Sequence, residues 1–143
     1  MASKATAVWT GSVRGGKGSI STATGVLHDA SYSFAARFEG AETGTTPEEL
    51  IAAAHASCYS MALSALLGTA GLSPLSIETK AAVTMAKVEE GFAITRIALT
   101  TRASVPGASR EAFAQAAADA KNGCPISKLV ANNTEVTLDA RLV

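Results

Sequence analysis

Apolar and polar positions along the chain follow two periods. Several short segments alternate with period two, as half-buried strands do, and longer ones carry helix punctuation at their ends. Residues 5–13 (ATAVWTGSV) and 19–27 (SISTATGVL) predict two strands, joined through Arg14–Gly18 (RGGKG) into a hairpin. Residues 31–39 (SYSFAARFE) predict a third strand, with Tyr32, Phe34, Ala36 and Phe38 on one face and Arg37 on the other. Residues 75–86 and 92–103 predict a second hairpin turning at Lys87–Gly91, and 134–142 a last strand.

The central helix is announced by Thr46 as N-cap, Pro47 at the first helical position and Glu49 as the acid of a capping box. It runs to about Leu67 and stops near Gly68 and Gly71. From Ala52 to Leu67 it is apolar or small nearly all round, which predicts burial on most sides. Ser109 caps an amphipathic helix over 109–121, with Asn122–Gly123 as a glycine C-cap, and Cys124-Pro125 opens a short helix. Three strands, a long helix, two strands, two helices and a strand predict one α+β domain over residues 1–143, with antiparallel sheets packed on the central helix. No internal repeat, low-complexity segment or linker interrupts it.

A chain of 143 residues fits a single domain, and one of this size buries roughly 70% of its unfolded surface without disulfide staples. Lys+Arg and Asp+Glu are both 12, so the net charge is +0. That argues against nonspecific nucleic-acid binding, which draws on an excess of cations. The apolar share is 48%, but only 5% is aromatic and 30 residues are alanine. Such small side chains favour close backbone approach and leave a lone protomer short of area to bury. Ser, His and Thr interrupt the longest apolar stretch, so no membrane span is expected. Met1–Thr10 lacks the basic-then-apolar pattern of a signal peptide, which leads us to expect a cytoplasmic protein. Two thiols there are redox-active, metal-binding or small core residues.

Gly11–Lys17 (GSVRGGK) fits seven positions of a phosphate loop, but Gly18 stands where the magnesium-binding hydroxyl belongs. The hairpin context is also wrong, so the glycines are assigned to the turn. His55 and Cys58 are spaced i, i+3 and share a helix face. A zinc site would need more ligands than two Cys and two His without a C-x-x-C supply, and His28 lies far off on an early strand. A packed or hydrogen-bonded His55 is the expectation. Cys58 alone reads as a core thiol. Cys124, at the start of a helix, is the more acidic thiol by local rules. Arg37 is a candidate cation for Cys58, set against an ordinary solvated arginine. Glu48 and Cys58 are ten residues apart on one helix, about 15 Å of rise at 1.5 Å per residue. If both serve one site, a second chain supplies one of them.

Arg37-Phe38-Glu39-Gly40, Gly44-Thr45-Thr46-Pro47-Glu48-Glu49-Leu50-Ile51, Ala54-His55-Ala56-Ser57-Cys58-Tyr59-Ser60-Met61-Ala62-Leu63 and Gly123-Cys124-Pro125-Ile126-Ser127 stand in this order. Together they resemble the OsmC family of thiol-dependent organic hydroperoxide peroxidases, in the superfamily that includes the Ohr enzymes. RFEG and HASC are closer to OsmC proper than to Ohr, where tyrosine is expected at the His55 position. The resemblance therefore implies that His55 is not essential to the shared chemistry.

It implies Cys58 as the peroxidatic thiol, Cys124 as the resolving thiol that closes a disulfide with it, Arg37 as the residue that activates the thiolate and orients the peroxide, and Glu48 as the acid that holds Arg37. This order of the thiols overrules the local ranking of their acidity. The resemblance also implies an intertwined homodimer with shared sites, no metal or organic cofactor, and an external dithiol or dihydrolipoyl (lipoylated-protein) reductant. Fatty or aryl hydroperoxides suit the Ala, Leu, Met and Phe content near the site. The competing class is a stress-related protein that binds a hydrophobic ligand and carries incidental thiols; a zinc hydrolase is a distant third.

Overall fold

A computed structural model describes residues 1–143. The chain forms two compact units, Met1–Leu50 and Ile51–Val143, each with one three-stranded sheet.

In the first unit, β1 (Ala5–Thr10) pairs antiparallel with β2 (Lys17–Thr22), and β2 with β3 (Ala30–Tyr32). Both hairpin strands are shorter than their alternation predicts: β1 gives way to the turn at 11–16, and β2 ends at Thr22 where the chain bends. Gly16 and Gly18 are required by close approach: a Cβ on Gly16 would lie 2.3 Å from the Ser12 carbonyl oxygen, and one on Gly18 would lie 2.2 Å from the Tyr32 ring. The phosphate-loop look-alike is thus a turn.

The third predicted strand is corrected. Only Ala30–Tyr32 is extended, and α1 (Phe34–Phe38) follows. Ser33 causes the switch, since its hydroxyl accepts the Ala36 N–H at 3.1 Å and caps a helical turn. Phe34 and Phe38 therefore stack as an i, i+4 pair, centroids 4.8 Å apart. Arg37 projects from a helix and not from a polar strand face.

Helix α2 (Pro47–Thr69) starts where its punctuation predicts: the Glu49 N–H donates to Thr46 Oγ1 at 3.1 Å. Glu49 does not reach back to Thr46; its carboxylate accepts from the Thr45 hydroxyl. At the far end Gly71 takes φ +75°, and the Leu72 N–H returns to the Leu67 carbonyl at 2.9 Å. At 23 residues α2 is long and apolar enough to cross a membrane, which its Ser, His and Thr were expected to prevent.

The second unit holds the core. β4 (Ser76–Val88) and β5 (Gly91–Ser104) form a long antiparallel hairpin, with a register shift at Thr84/Met85. α3 (Arg110–Gly123) is capped by Ser109, whose hydroxyl accepts the Ala112 N–H at 3.1 Å. Gly123 does not act as a left-handed C-cap. Cys124 ends the helix in an extended conformation (ψ 126°), as a residue before proline must. α4 (Pro125–Val130) leads into β6 (Glu135–Leu142).

β6 pairs with β5 in parallel, so this sheet is mixed and not antiparallel throughout. The intervening helices supply the long crossover that a parallel return needs. Val136, Leu138, Ala140 and Leu142 all pack on the core. Tyr59, Leu63 and Leu67 of α2 are fully buried with Ile97 of β5 and Ala120 of α3. The Tyr59 hydroxyl donates to the Ala117 carbonyl at 3.2 Å, and burial pushes its pKa up to about 12.

Burial of α2 departs from the expectation. Only His55, Tyr59, Leu63 and Leu67, one stripe at spacing four, are buried. Elsewhere on the helix Met61 is 75% exposed. In the first unit no residue is buried at all.

Candidate active site

The two cysteines, 66 positions apart in sequence, meet in the second unit. Cys58 sits in the middle of α2, and Cys124 is the residue that caps α4. Both are free thiols, and their Sγ atoms share a hydrogen bond at 2.9 Å. Cys124 is fully buried, whereas Cys58 keeps some exposure. Solvent therefore reaches Cys58 and not Cys124.

The helix-start amide that was expected to favour a Cys124 thiolate lies on Cys58 instead. The start of α4 serves Cys58: the backbone N–H of Ile126 hydrogen-bonds to its sulfur and draws its pKa down. Within the chain that pull is outweighed. Burial first, then the hydrogen bond and charge of Cys124, leave the Cys58 thiol above its ordinary value of 9.0.

Arg37 and Glu48 are brought together in the first unit. Arg37 Nη2 donates to Glu48 Oε1 at 2.6 Å, and Nε contacts Oε1 and Oε2 at 3.1 and 3.2 Å. Glu48 is 12% exposed and Arg37 38%. One edge of the guanidinium is fixed by a charge-assisted fork, and its Cζ lies 5.3 Å from the Phe38 ring centroid. Arg37 also borders an apolar hollow of about 240 Å³ walled by Trp9, Val13, Tyr32, Phe34 and Phe38.

His55 is fully buried. Its Nε2 lies 2.8 Å from the Ser127 hydroxyl, and its Nδ1 has no partner. Neither ring nitrogen bonds Cys58, so the i, i+3 spacing does not make a Cys–His dyad. Burial lowers the His55 pKa below 6.5. His28 is exposed beside Asp29 in the first unit. Ser127 and the Ile126 amide are the groups that sequence reasoning missed. Their only signal was membership of the Gly123–Ser127 segment.

The fold is a mixed α+β one in which a partly exposed thiol on a long helix is backed by a buried second thiol. The sequence model of the OsmC-like protein family matches residues 40–139, and the chain belongs to that family. It is 51% identical over 139 residues to peroxiredoxin OsmC of Escherichia coli (strain K12), covering 97% of this chain and 95% of that protein. The same figures hold for peroxiredoxin OsmC of Shigella flexneri. Among solved structures, the organic hydroperoxide resistance protein OhrB of Bacillus subtilis is similar at a TM-score of 0.73 with 27% identity, covering 96% of this chain and 98% of that one. An organic hydroperoxide resistance protein from Elizabethkingia anophelis is similar at 0.76 with 25% identity, covering 98% and 96%.

Proposed function

We propose that this protein is a thiol-dependent peroxidase that reduces organic hydroperoxides in oxidative or osmotic stress defence, through Cys58 and Cys124. The observation that carries the reading is the 2.9 Å approach of an accessible thiol to a buried one, with a helix-start amide on the accessible sulfur. The names of its relatives support it.

In the first step the Cys58 thiolate attacks a peroxide oxygen. An S–O bond forms, the O–O bond breaks, and the alkoxide leaves as alcohol after taking a proton. Cys58 is oxidised by two electrons to a sulfenic acid. Cys124 then attacks the Cys58 sulfur, the S–O bond breaks, and water leaves with the Cys124 proton. An external dithiol, such as a dihydrolipoyl group on a protein, restores both thiols. No metal or organic cofactor takes part.

Arg37, held by Glu48, orients the peroxide and stabilises the thiolate that burial alone disfavours. The apolar hollow beside Arg37 suits a fatty or aryl group better than hydrogen peroxide. We further propose a homodimer in which Arg37 and Glu48 of one protomer face the partner's Cys58. Support comes from the first unit, which buries no residue in a lone chain, and from the open apolar side of α2. Two free thiols also fit a reducing, cytoplasmic setting.

Turnover of cumene or tert-butyl hydroperoxide with a dithiol tests the proposal. Activity lost in Cys58→Ser is the expected result. Full activity in that variant, or retention of an apolar ligand without peroxide-dependent thiol loss, would overturn it.

A further inference from the structure

α2 and α4 are joined by two rungs. The first is the Cys58–Cys124 thiol pair at 2.9 Å. The second, one helical turn away on each side, is His55 Nε2 to Ser127 Oγ at 2.8 Å. His55 precedes Cys58 by three residues and Ser127 follows Cys124 by three, so each rung draws on the same helix faces. Both members of the second rung are buried, at 0% and 7% exposure. Ser127 is the only buried residue within the six residues of α4.

The ring's protonation follows from its surroundings. Nδ1 is sealed from solvent without a partner. A buried bare lone pair is tolerated better than an orphaned N–H, so the proton sits on Nε2 and is donated to Ser127 Oγ. The imidazole is then a neutral donor pinned between helices, with no proton to trade with Cys58.

We propose that the His55–Ser127 hydrogen bond is a positioning device: it holds the start of α4 against α2, so that Cys124 closes the disulfide before a second peroxide oxidises the Cys58 sulfenic acid. The inference rests on the peroxidase reading above. The step it controls is attack of the Cys124 sulfur on the Cys58 sulfur, forming the S–S bond as the S–O bond breaks and water leaves. Sulfur atoms that start 2.9 Å apart need to move by only about 1 Å to reach a bond of ~2.05 Å. An attack so near its end point is sensitive to misplacement, and about 1 Å is enough to cost roughly 100-fold. A sulfenic acid that waits is converted by excess peroxide to sulfinic acid, which a dithiol does not restore.

The test uses Ser127→Ala and His55→Leu, which break the same bond from opposite ends, so one folded variant is sufficient. Ser127→Thr and His55→Gln retain a partner. Each reduced protein is mixed with cumene hydroperoxide, first equimolar and then in tenfold excess, and quenched over time. Mass spectrometry reads the Cys58–Cys124 disulfide and Cys58 sulfinic acid. Ser127→Ala and His55→Leu are expected to consume the Cys58 thiol only a few-fold more slowly than the parent, through the loosened Ile126 amide, but to close the disulfide about 10- to 100-fold more slowly. They accumulate sulfinic acid in excess peroxide, and the double variant closes no more slowly than either single one. The retained-partner variants close within a few-fold of the parent. Disulfide closure at the parent rate in a variant lacking the hydrogen bond overturns the inference and leaves the peroxidase reading intact. A parent protein whose Cys58 thiol survives peroxide overturns that reading itself.

Discussion

Replacing Glu48 by Gln keeps the size of the side chain and removes its charge, so it isolates what the fork to Arg37 contributes. The carboxylate accepts from both Nη2 and Nε at 2.6–3.2 Å. Hydrogen bonds to charged groups contribute about 1.5–3 kcal/mol and neutral ones about 0.5–1.5 kcal/mol. Gln, with one acceptor oxygen, keeps one bond to the charged guanidinium and loses the other, which forfeits roughly 1.5–3 kcal/mol. Arg37 is 38% exposed, so solvent screening cuts the loss about in half, to about 0.8–1.5 kcal/mol. If the orientation of Arg37 is expressed fully in the transition state, kcat/KM falls about 4- to 12-fold.

Arg37→Lys should lose at least as much, since an ammonium cannot form a fork. Asp139→Asn provides the control, because Asp139 pairs with Arg141 at 3.0 Å on an exposed surface; its kcat/KM should match the parent's. The assay is initial-rate reduction of cumene hydroperoxide with a dithiol in excess. Parent-like kcat/KM in Glu48→Gln together with a large loss in Arg37→Lys would refute the holding role of Glu48. Parent-like values in both would remove the pair from the site.

Three further outcomes are expected. Cys124→Ala removes two of the influences that raise the Cys58 pKa and leaves the Ile126 amide in place, so thiolate absorbance of Cys58 should titrate at lower pH than in the parent; a higher pKa would show that the thiol donated by Cys124 at 2.9 Å stabilises the Cys58 thiolate instead. His55 binds its proton less well folded than unfolded, so the unfolded state takes up more protons as pH falls through 6.5. Stability is therefore lost on acidification below that pH, and denaturant midpoints should flatten over this window in His55→Gln. Tyr59, at about 12 when folded against 10.0 unfolded, should contribute stability below pH 10 that is lost above it. Tyr59→Phe should abolish that alkaline loss and cost about 1 kcal/mol at neutral pH through the missing bond to Ala117.

What could be read in the sequence divides by the range of the interaction responsible. Thr46-Pro47 and Ser109 mark their helices because capping is settled within three residues, and the structure shows both hydroxyls bonded as expected. Residues 31–39 misled for the same kind of reason. Alternation spoke for a strand, but Ser33 offered a local cap and the helix formed. The parallel register of β6 on β5 has no local signal, since α3 and α4 decide from which end the strand returns. The candidate site was legible as residues through the family resemblance, and much less so as contacts. Nothing near Cys58 in sequence announces the Ile126 amide, and His55 and Ser127 are 72 positions apart. A helix that is apolar all round gave no hint of which stripe one chain would bury.

A peroxide-driven redox couple between Cys58 and Cys124 can be settled by one count of thiols. The reduced protein receives one equivalent of cumene hydroperoxide without reductant, and free thiols and disulfide-linked peptides are then quantified. Both thiols should disappear together, one equivalent of cumyl alcohol should form, and the Cys58 and Cys124 peptides should become linked and separate again with a dithiol. Both thiols still free with the peroxide unconsumed, or Cys124 oxidised while Cys58 stays reduced, would contradict it.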